Sequence, residues 1–126
     1  MKNLQPPIKF IDLFAGIGGI RHGFEIACKE MRIKSECVFT SEIKSSALEV
    51  LRQNYPSEKI YGDIRTISDD IIPNFDILLA GFPCQSFSSA GKRLGFNDAR
   101  GTLFFEIERI LKNEDNSFLK YKELSN

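Results

Sequence analysis

Ile8-Lys9-Phe10-Ile11-Asp12-Leu13-Phe14-Ala15-Gly16-Ile17-Gly18-Gly19 is the stretch on which the fold turns. Residues 8–14 form a short apolar run of the kind a buried strand uses. Gly16, Gly18 and Gly19 follow as a turn that lets backbone approach a ligand closely. Beyond it, Ile20, Phe24, Ala27 and Met31 recur at helical spacing. That spacing predicts a helix with one apolar face over about three turns.

Working outward, Cys37-Val38-Phe39-Thr40 predicts a second strand that closes at Ser41-Glu42. Ala47, Leu48, Leu51 and Tyr55 mark a second helix, ended by Asn54 and Pro56. Lys59-Ile60-Tyr61 reads as a brief third strand before Gly62-Asp63, and Asp76-Ile77-Leu78-Leu79-Ala80 as a fourth. Strands and helices alternating at these intervals place the chain in the α/β class, with a parallel sheet covered on both faces. Residues 81–101 are rich in Ser, Gly and Lys/Arg and lack periodicity, as expected of a long functional loop. Leu103, Ile107, Ile110 and Leu111 then restore a helix that residues 113–116 end.

The bulk composition narrows the function. The 126 residues are 42% hydrophobic, and 17 basic residues balance 17 acidic ones. A protein that holds duplex DNA alone usually carries a basic face, because phosphate contacts supply most of the affinity. If this chain acts on DNA, most of the grip is expected from elsewhere. No stretch reaches the ~20 consecutive apolar residues of a membrane helix. Residues 1–9 lack the apolar core of a signal peptide, so a cytoplasmic location is expected. The spacing of Cys28, Cys37 and Cys84 matches neither a disulfide framework nor a zinc site.

Ligands of a parallel α/β sheet bind at the carboxyl ends of its strands. Four features fall there: the Gly16-Ile17-Gly18-Gly19 turn, Glu42, Asp63, and Gly81-Phe82-Pro83-Cys84. A carboxylate after the second strand suits a ribose diol, since it accepts two hydroxyl hydrogen bonds. Asp63 could accept from an adenine amino group. Taken singly, each has a plainer reading. Glu42 could be a charge favourable to a helix N-terminus, and Asp63 a turn residue. Their joint placement favours a nucleotide-like ligand. The glycines lack the dinucleotide register, which disfavours NAD.

Cys28 and Cys37 read as small buried hydrophobes. Cys84 stands apart. It follows a strand end and Pro83, and Gln85-Ser86-Phe87-Ser88-Ser89 comes after it, a polar setting where a thiol could meet a substrate. Reactivity would need nearby positive charge or a base; Lys92, Arg93 and Arg100 are candidates for the charge. A chance thiol in a loop is the alternative. His22 reads as a surface or helix-face residue.

These residues resemble the DNA cytosine-5 methyltransferase family. Residues 10–19 are similar to its first signature motif, and Ala80-Gly81-Phe82-Pro83-Cys84-Gln85-Ser86-Phe87-Ser88 to its nucleophile motif. Ser41-Glu42 and Gly62-Asp63-Ile64 stand where the second and third motifs belong, and residues 95–105 continue the match. The resemblance implies a Rossmann-like S-adenosylmethionine-dependent methyltransferase fold. Phe14, Gly16, Gly18 and Gly19 would line the cofactor pocket. Glu42 would hold the ribose, Ile43 would lie against the adenine, and Asp63 and Ile64 would meet the adenine edge. Gly81, Pro83 and Leu103 would complete the pocket. Cys84 would be the nucleophile. Gln85, Ser88, Lys92, Arg93 and Arg100 would belong to a loop that closes on double-stranded DNA. No metal is implied.

The resemblance covers residues 8–112. The family's catalytic Glu-Asn-Val motif, arginine motif, target-recognition domain and final glycine-rich segment have no counterpart. Residues 1–126 are therefore expected to be a partial catalytic domain, inactive alone. One permitted back-translation of residues 120–125, preceded by GA and read in a shifted frame, gives Glu-Asn-Ile-Lys-Asn-Leu, which resembles the absent catalytic motif. A frameshifted remnant that only binds S-adenosylmethionine is one expectation. A subunit of a split methyltransferase, completed by a C-terminal partner, is the other.

Overall fold

The computed structural model describes residues 5–81 and 99–113. Contacts divide the chain into two compact units, Met1–Ile64 with Phe75–Gly81, and Arg65–Asn74 with Phe82–Asn126.

The first unit contains β1 (Ile8–Leu13), α1 (Gly19–Glu30), β2 (Ser35–Ser41), α2 (Ser45–Asn54) and β3 (Ile77–Ala80). The strands run parallel in the order β2-β1-β3. β1 is central because it can be. Phe10, Ile11 and Leu13 are 0% exposed, and a central parallel strand must be apolar on both faces. The β1–β2 register slips between Phe10, which pairs with Cys37, and Ile11, which pairs with Phe39, leaving Val38 as an extra residue. This is the parallel α/β arrangement expected, in an incomplete Rossmann-like form.

Four expectations are corrected. Lys59-Ile60-Tyr61 is no strand; only an isolated parallel bridge joins Tyr61 to Ser41. Tyr61 N donates to Thr40 O at 2.8 Å and Glu42 N to Tyr61 O at 2.9 Å. One stacked ring pair, Phe39 on Tyr61 at 4.6 Å, accompanies these bonds. The second correction concerns α1. Ile20 and Met31 are 49% and 68% exposed, and Ala27 is exposed too. The buried residues of α1 are Arg21 and Cys28, with Phe24 edge-on to Phe10 at 4.9 Å. The helix is thus rotated from the face its apolar residues mark, because the buried Arg21 finds half-buried partners, Glu58 and Tyr55, in the folded chain.

α1 ends in a Schellman arrangement: Ile33 N donates to Cys28 O and Arg32 N to Lys29 O. Arg32 occupies the left-handed position at φ 59°. Cys28 is buried, as its setting implies, whereas Cys37 is only half-buried and lies inside β2 rather than opening it.

In the second unit a short 3-10 turn, Asp69–Ile71, precedes α3 (Ala99–Lys112). Arg109 pairs with Asp69 and with Glu106, and the Asn113 amide donates to Asp69 at 2.8 Å. α3 begins before Leu103, so residues 99–101 belong to its first turn rather than to the expected loop. Among the described residues, no helix is long and apolar enough to cross a membrane.

Candidate functional site

The carboxyl ends of β1, β2 and β3 gather the predicted residues of the first unit. After β1 the backbone turns left-handed three times: Phe14 at φ 53°, Gly16 at 60° and Gly18 at 93°. A bulky residue at positive φ costs of order 1–2 kcal/mol, and such strain concentrates where a ligand is clamped. A Cβ at Gly16 would meet nothing within 4 Å, so the glycine is there for its conformation.

Glu42 binds this turn to the end of β2. Its Oε1 accepts from Gly16 N at 2.6 Å, and its Oε2 from Ile43 N at 2.7 Å and Lys44 N at 3.0 Å. Ala15 N donates to Ser41 O at 3.1 Å, so the two strand ends are stitched twice. Ser41 Oγ donates to Gly62 O at 2.8 Å, which fixes the segment carrying Asp63 and Ile64 beside β2. Asp63 is half-buried, Ile64 is buried, and Ile43 is 64% exposed. On the other side Gly81 N donates to Leu13 O at 3.3 Å. A Cβ at Gly81 would come within 3.0 Å of Ile20 Cδ1, so the glycine lets β3 end close to the start of α1.

A second polar group, absent from the sequence expectations, lies under α1. Arg21 donates to both carboxylate oxygens of Glu58, at 2.6 and 2.7 Å, and stacks 3.6 Å from the Tyr55 ring centroid. Burial, the largest single influence, works against its charge, but the hydrogen bond to Glu58 and the negative charge of Cys37, Glu58 and Glu25 together outweigh it and raise its pKa. Asp12 is 1% exposed on β1, and its Oδ2 has no hydrogen-bond partner. Burial raises its carboxyl to about 6 against the opposing pull of Arg21. Burial also raises the Cys37 thiol, which lies 3.3 Å from Thr40 Oγ1. The signal that could have found this group is a charge inside an apolar run: Asp12 within β1, Arg21 between Ile20 and Phe24.

A cavity of about 500 Å³ opens beside the glycine turn, lined by Ile17, Gly18, Gly19, His22, Asn54 and Tyr55. It shares only Gly18 and Gly19 with the predicted site. His22 is exposed, in keeping with its reading as a helix-face residue. Among the described residues no cluster of His, Cys, Asp and Glu is arranged to hold a metal ion.

A family model described as C-5 cytosine-specific DNA methylase matches residues 8–119. The chain belongs to that family. It is 70% identical over 105 residues to the Type II methyltransferase M.NgoBV of Neisseria gonorrhoeae, covering 83% of this chain and 25% of that protein. It is 57% identical over 113 residues to the Type II methyltransferase M.BanI of Aneurinibacillus aneurinilyticus, covering 89% and 26%. The chain thus spans about a quarter of the length of these relatives. Among solved structures, a DNMT2 mutant from Spodoptera frugiperda matches with a TM-score of 0.63 at 31% identity, covering 86% of this chain and 33% of that one. The Entamoeba histolytica methyltransferase EhMeth matches with a TM-score of 0.69 at 21% identity, covering 87% and 34%.

S-adenosylmethionine is the methyl donor of this C-5 methylase family. Of the residues expected to serve in a member, Phe14, Gly16, Gly18, Gly19, Glu42, Ile43, Asp63, Ile64 and Gly81 are brought together at the strand ends of the first unit. Leu103 is half-buried in α3, and Arg100 lies in that helix's first turn. Cys84, with Pro83, Gln85, Ser88, Lys92 and Arg93, lies outside the described residues.

Proposed function

We propose that this chain is the cofactor-binding, nucleophile-bearing part of a DNA cytosine-5 methyltransferase of the restriction–modification type. The observation that carries the reading is the meeting of a strained glycine turn and the Glu42 carboxylate at adjacent strand ends. That arrangement fits an adenosyl group: the turn offers open backbone, Glu42 a hydroxyl acceptor, and Asp63 a second acceptor one segment away. S-adenosylmethionine, when bound, supplies an electrophilic methyl group.

Cys84 is the nucleophile in this reading. Its thiolate adds to C6 of a cytosine turned out of the duplex, and C5 becomes an enamine-like carbon able to take the methyl group. A base then removes the C5 proton, the C6–sulfur bond breaks, and the thiolate and the aromatic ring are restored. Lys92, Arg93 and Arg100 supply positive charge that favours the thiolate and meets DNA phosphate. Gln85 and Ser88 belong to the same DNA-facing loop.

The chain spans about a quarter of the length of these relatives, and two readings are weighed: a catalytic part completed by further polypeptide, and a binding module without turnover. Duplex DNA containing 5-fluorocytosine separates these, since fluorine at C5 cannot leave as a proton and traps the adduct. With S-adenosylmethionine and a polypeptide supplying the remaining three-quarters, the chain is expected to form an adduct visible by mass spectrometry. Cys84→Ala should abolish it. An adduct that persists in Cys84→Ala would remove Cys84 from the mechanism. Its absence from the completed wild-type enzyme would leave the binding module.

A further inference from the structure

Glu42 has a second task. A carboxylate offers about four lone-pair sites, and three here are taken by backbone N–H groups of Gly16, Ile43 and Lys44. A ribose diol brings two hydroxyl donors, one more than the remaining site can take. The bonds to Ile43 and Lys44 are local and hold the chain as it enters α2. The bond to Gly16 spans 26 residues, and it is the one a ligand can exchange without disturbing α2.

We infer that Glu42 is a latch: in the ligand-free chain it pins the glycine turn through Gly16 N–H, and a ligand with a vicinal diol releases that amide by taking Oε1. The release step rests on the cofactor reading above; the pinning step does not. The latch gives a turn with three left-handed residues, one of them Phe14, a bond that holds it in place. A 2.6 Å bond to a charged acceptor is among the stronger hydrogen bonds available to a turn. It also makes the ligand's hydroxyls pay a toll that a nucleoside lacking them cannot meet.

The test is amide hydrogen exchange at Gly16 in the full 126-residue chain, followed by NMR. Glu42→Asp keeps the charge and can still accept from Ile43 and Lys44, but is too short to reach Gly16. Without ligand, Gly16 exchange is expected to quicken about tenfold or more in Glu42→Asp, while amides within β1 change little. In the wild type, S-adenosylhomocysteine should shift the Gly16 amide, and its 2′-deoxy analogue should bind at least tenfold more weakly and shift it less. Unchanged Gly16 exchange in Glu42→Asp overturns the latch, whatever binds. Binding of S-adenosylhomocysteine with the Gly16 amide unmoved overturns the release step and leaves the cofactor reading standing. No binding at all, with Gly16 pinned as described, removes the release step together with that reading.

Discussion

Asp12 sits in the middle of β1 with 1% exposure, and burial lifts its carboxyl from 3.8 to about 6. The folded chain therefore binds this proton more tightly than the unfolded chain. The stabilising contribution is fully present below pH 4 and is lost as pH rises through 6. A shift of this size corresponds to roughly 3 kcal/mol. Chemical denaturation of wild type and Asp12→Asn should show the wild type losing up to about that much stability, relative to the variant, between pH 4 and 7. Parallel pH curves for the two proteins would show that Asp12 is ionised in both states. The candidate-site residues were legible because glycine and carboxylate signals at strand ends are local: Gly16 and Glu42 stand three and one residues past their strands. Asp12 was not. Its raised pKa comes from the packing of α1 over β1, and a sequence shows only a charged residue in an apolar run.

At the scale of elements, the Arg21–Glu58–Tyr55 group ties α1 to the end of α2. Arg21→Ala removes a paired ion bond and the stacking of its guanidinium on Tyr55. It should cost about 2–4 kcal/mol in urea unfolding, part of it from leaving the Glu58 carboxylate unpaired. A loss below about 0.5 kcal/mol would reduce the group to the weight of a surface ion pair. The C-terminus of α1 offers the opposite sign. Arg32 holds a left-handed position that glycine takes without strain. Arg32→Gly should leave the helix end intact and stabilise the chain by about 0.5–1 kcal/mol in the same assay. Periodicity found β1, β2 and α2 because each buries apolar residues that its own spacing marks, and β3 by its apolar run, though all four of its residues are half-buried. It misplaced the face of α1, since the partner that buries Arg21 lies 37 residues away. It also overread residues 59–61, where Tyr61 makes a single bridge rather than a ladder.

For the whole molecule, the sheet order β2-β1-β3 puts the glycine turn at its centre and Glu42 beside it, so the site's foundation is contained in the first unit. The chain spans about a quarter of the length of the relatives it matches. Assayed alone with S-adenosylmethionine and cytosine-containing duplex, the chain should transfer no methyl group above background. Sustained transfer would show that these 126 residues hold a full catalytic set. The zero net charge points the same way, since DNA affinity of useful strength needs a basic surface. The segment carrying Cys84 lies outside the described residues, and its proposed role was legible only through resemblance, because residues 81–98 carry no periodicity from which to derive a conformation. The central claim, that the strand ends of the first unit form the S-adenosylmethionine site, is tested most directly by titrating the isotope-labelled chain with that compound and following backbone amides. The account predicts saturable shifts at Gly16, Gly18, Gly19, Ile43 and Asp63 together. Shifts confined to His22, Asn54 and Tyr55, around the neighbouring cavity, would contradict it, as would no saturable change at all.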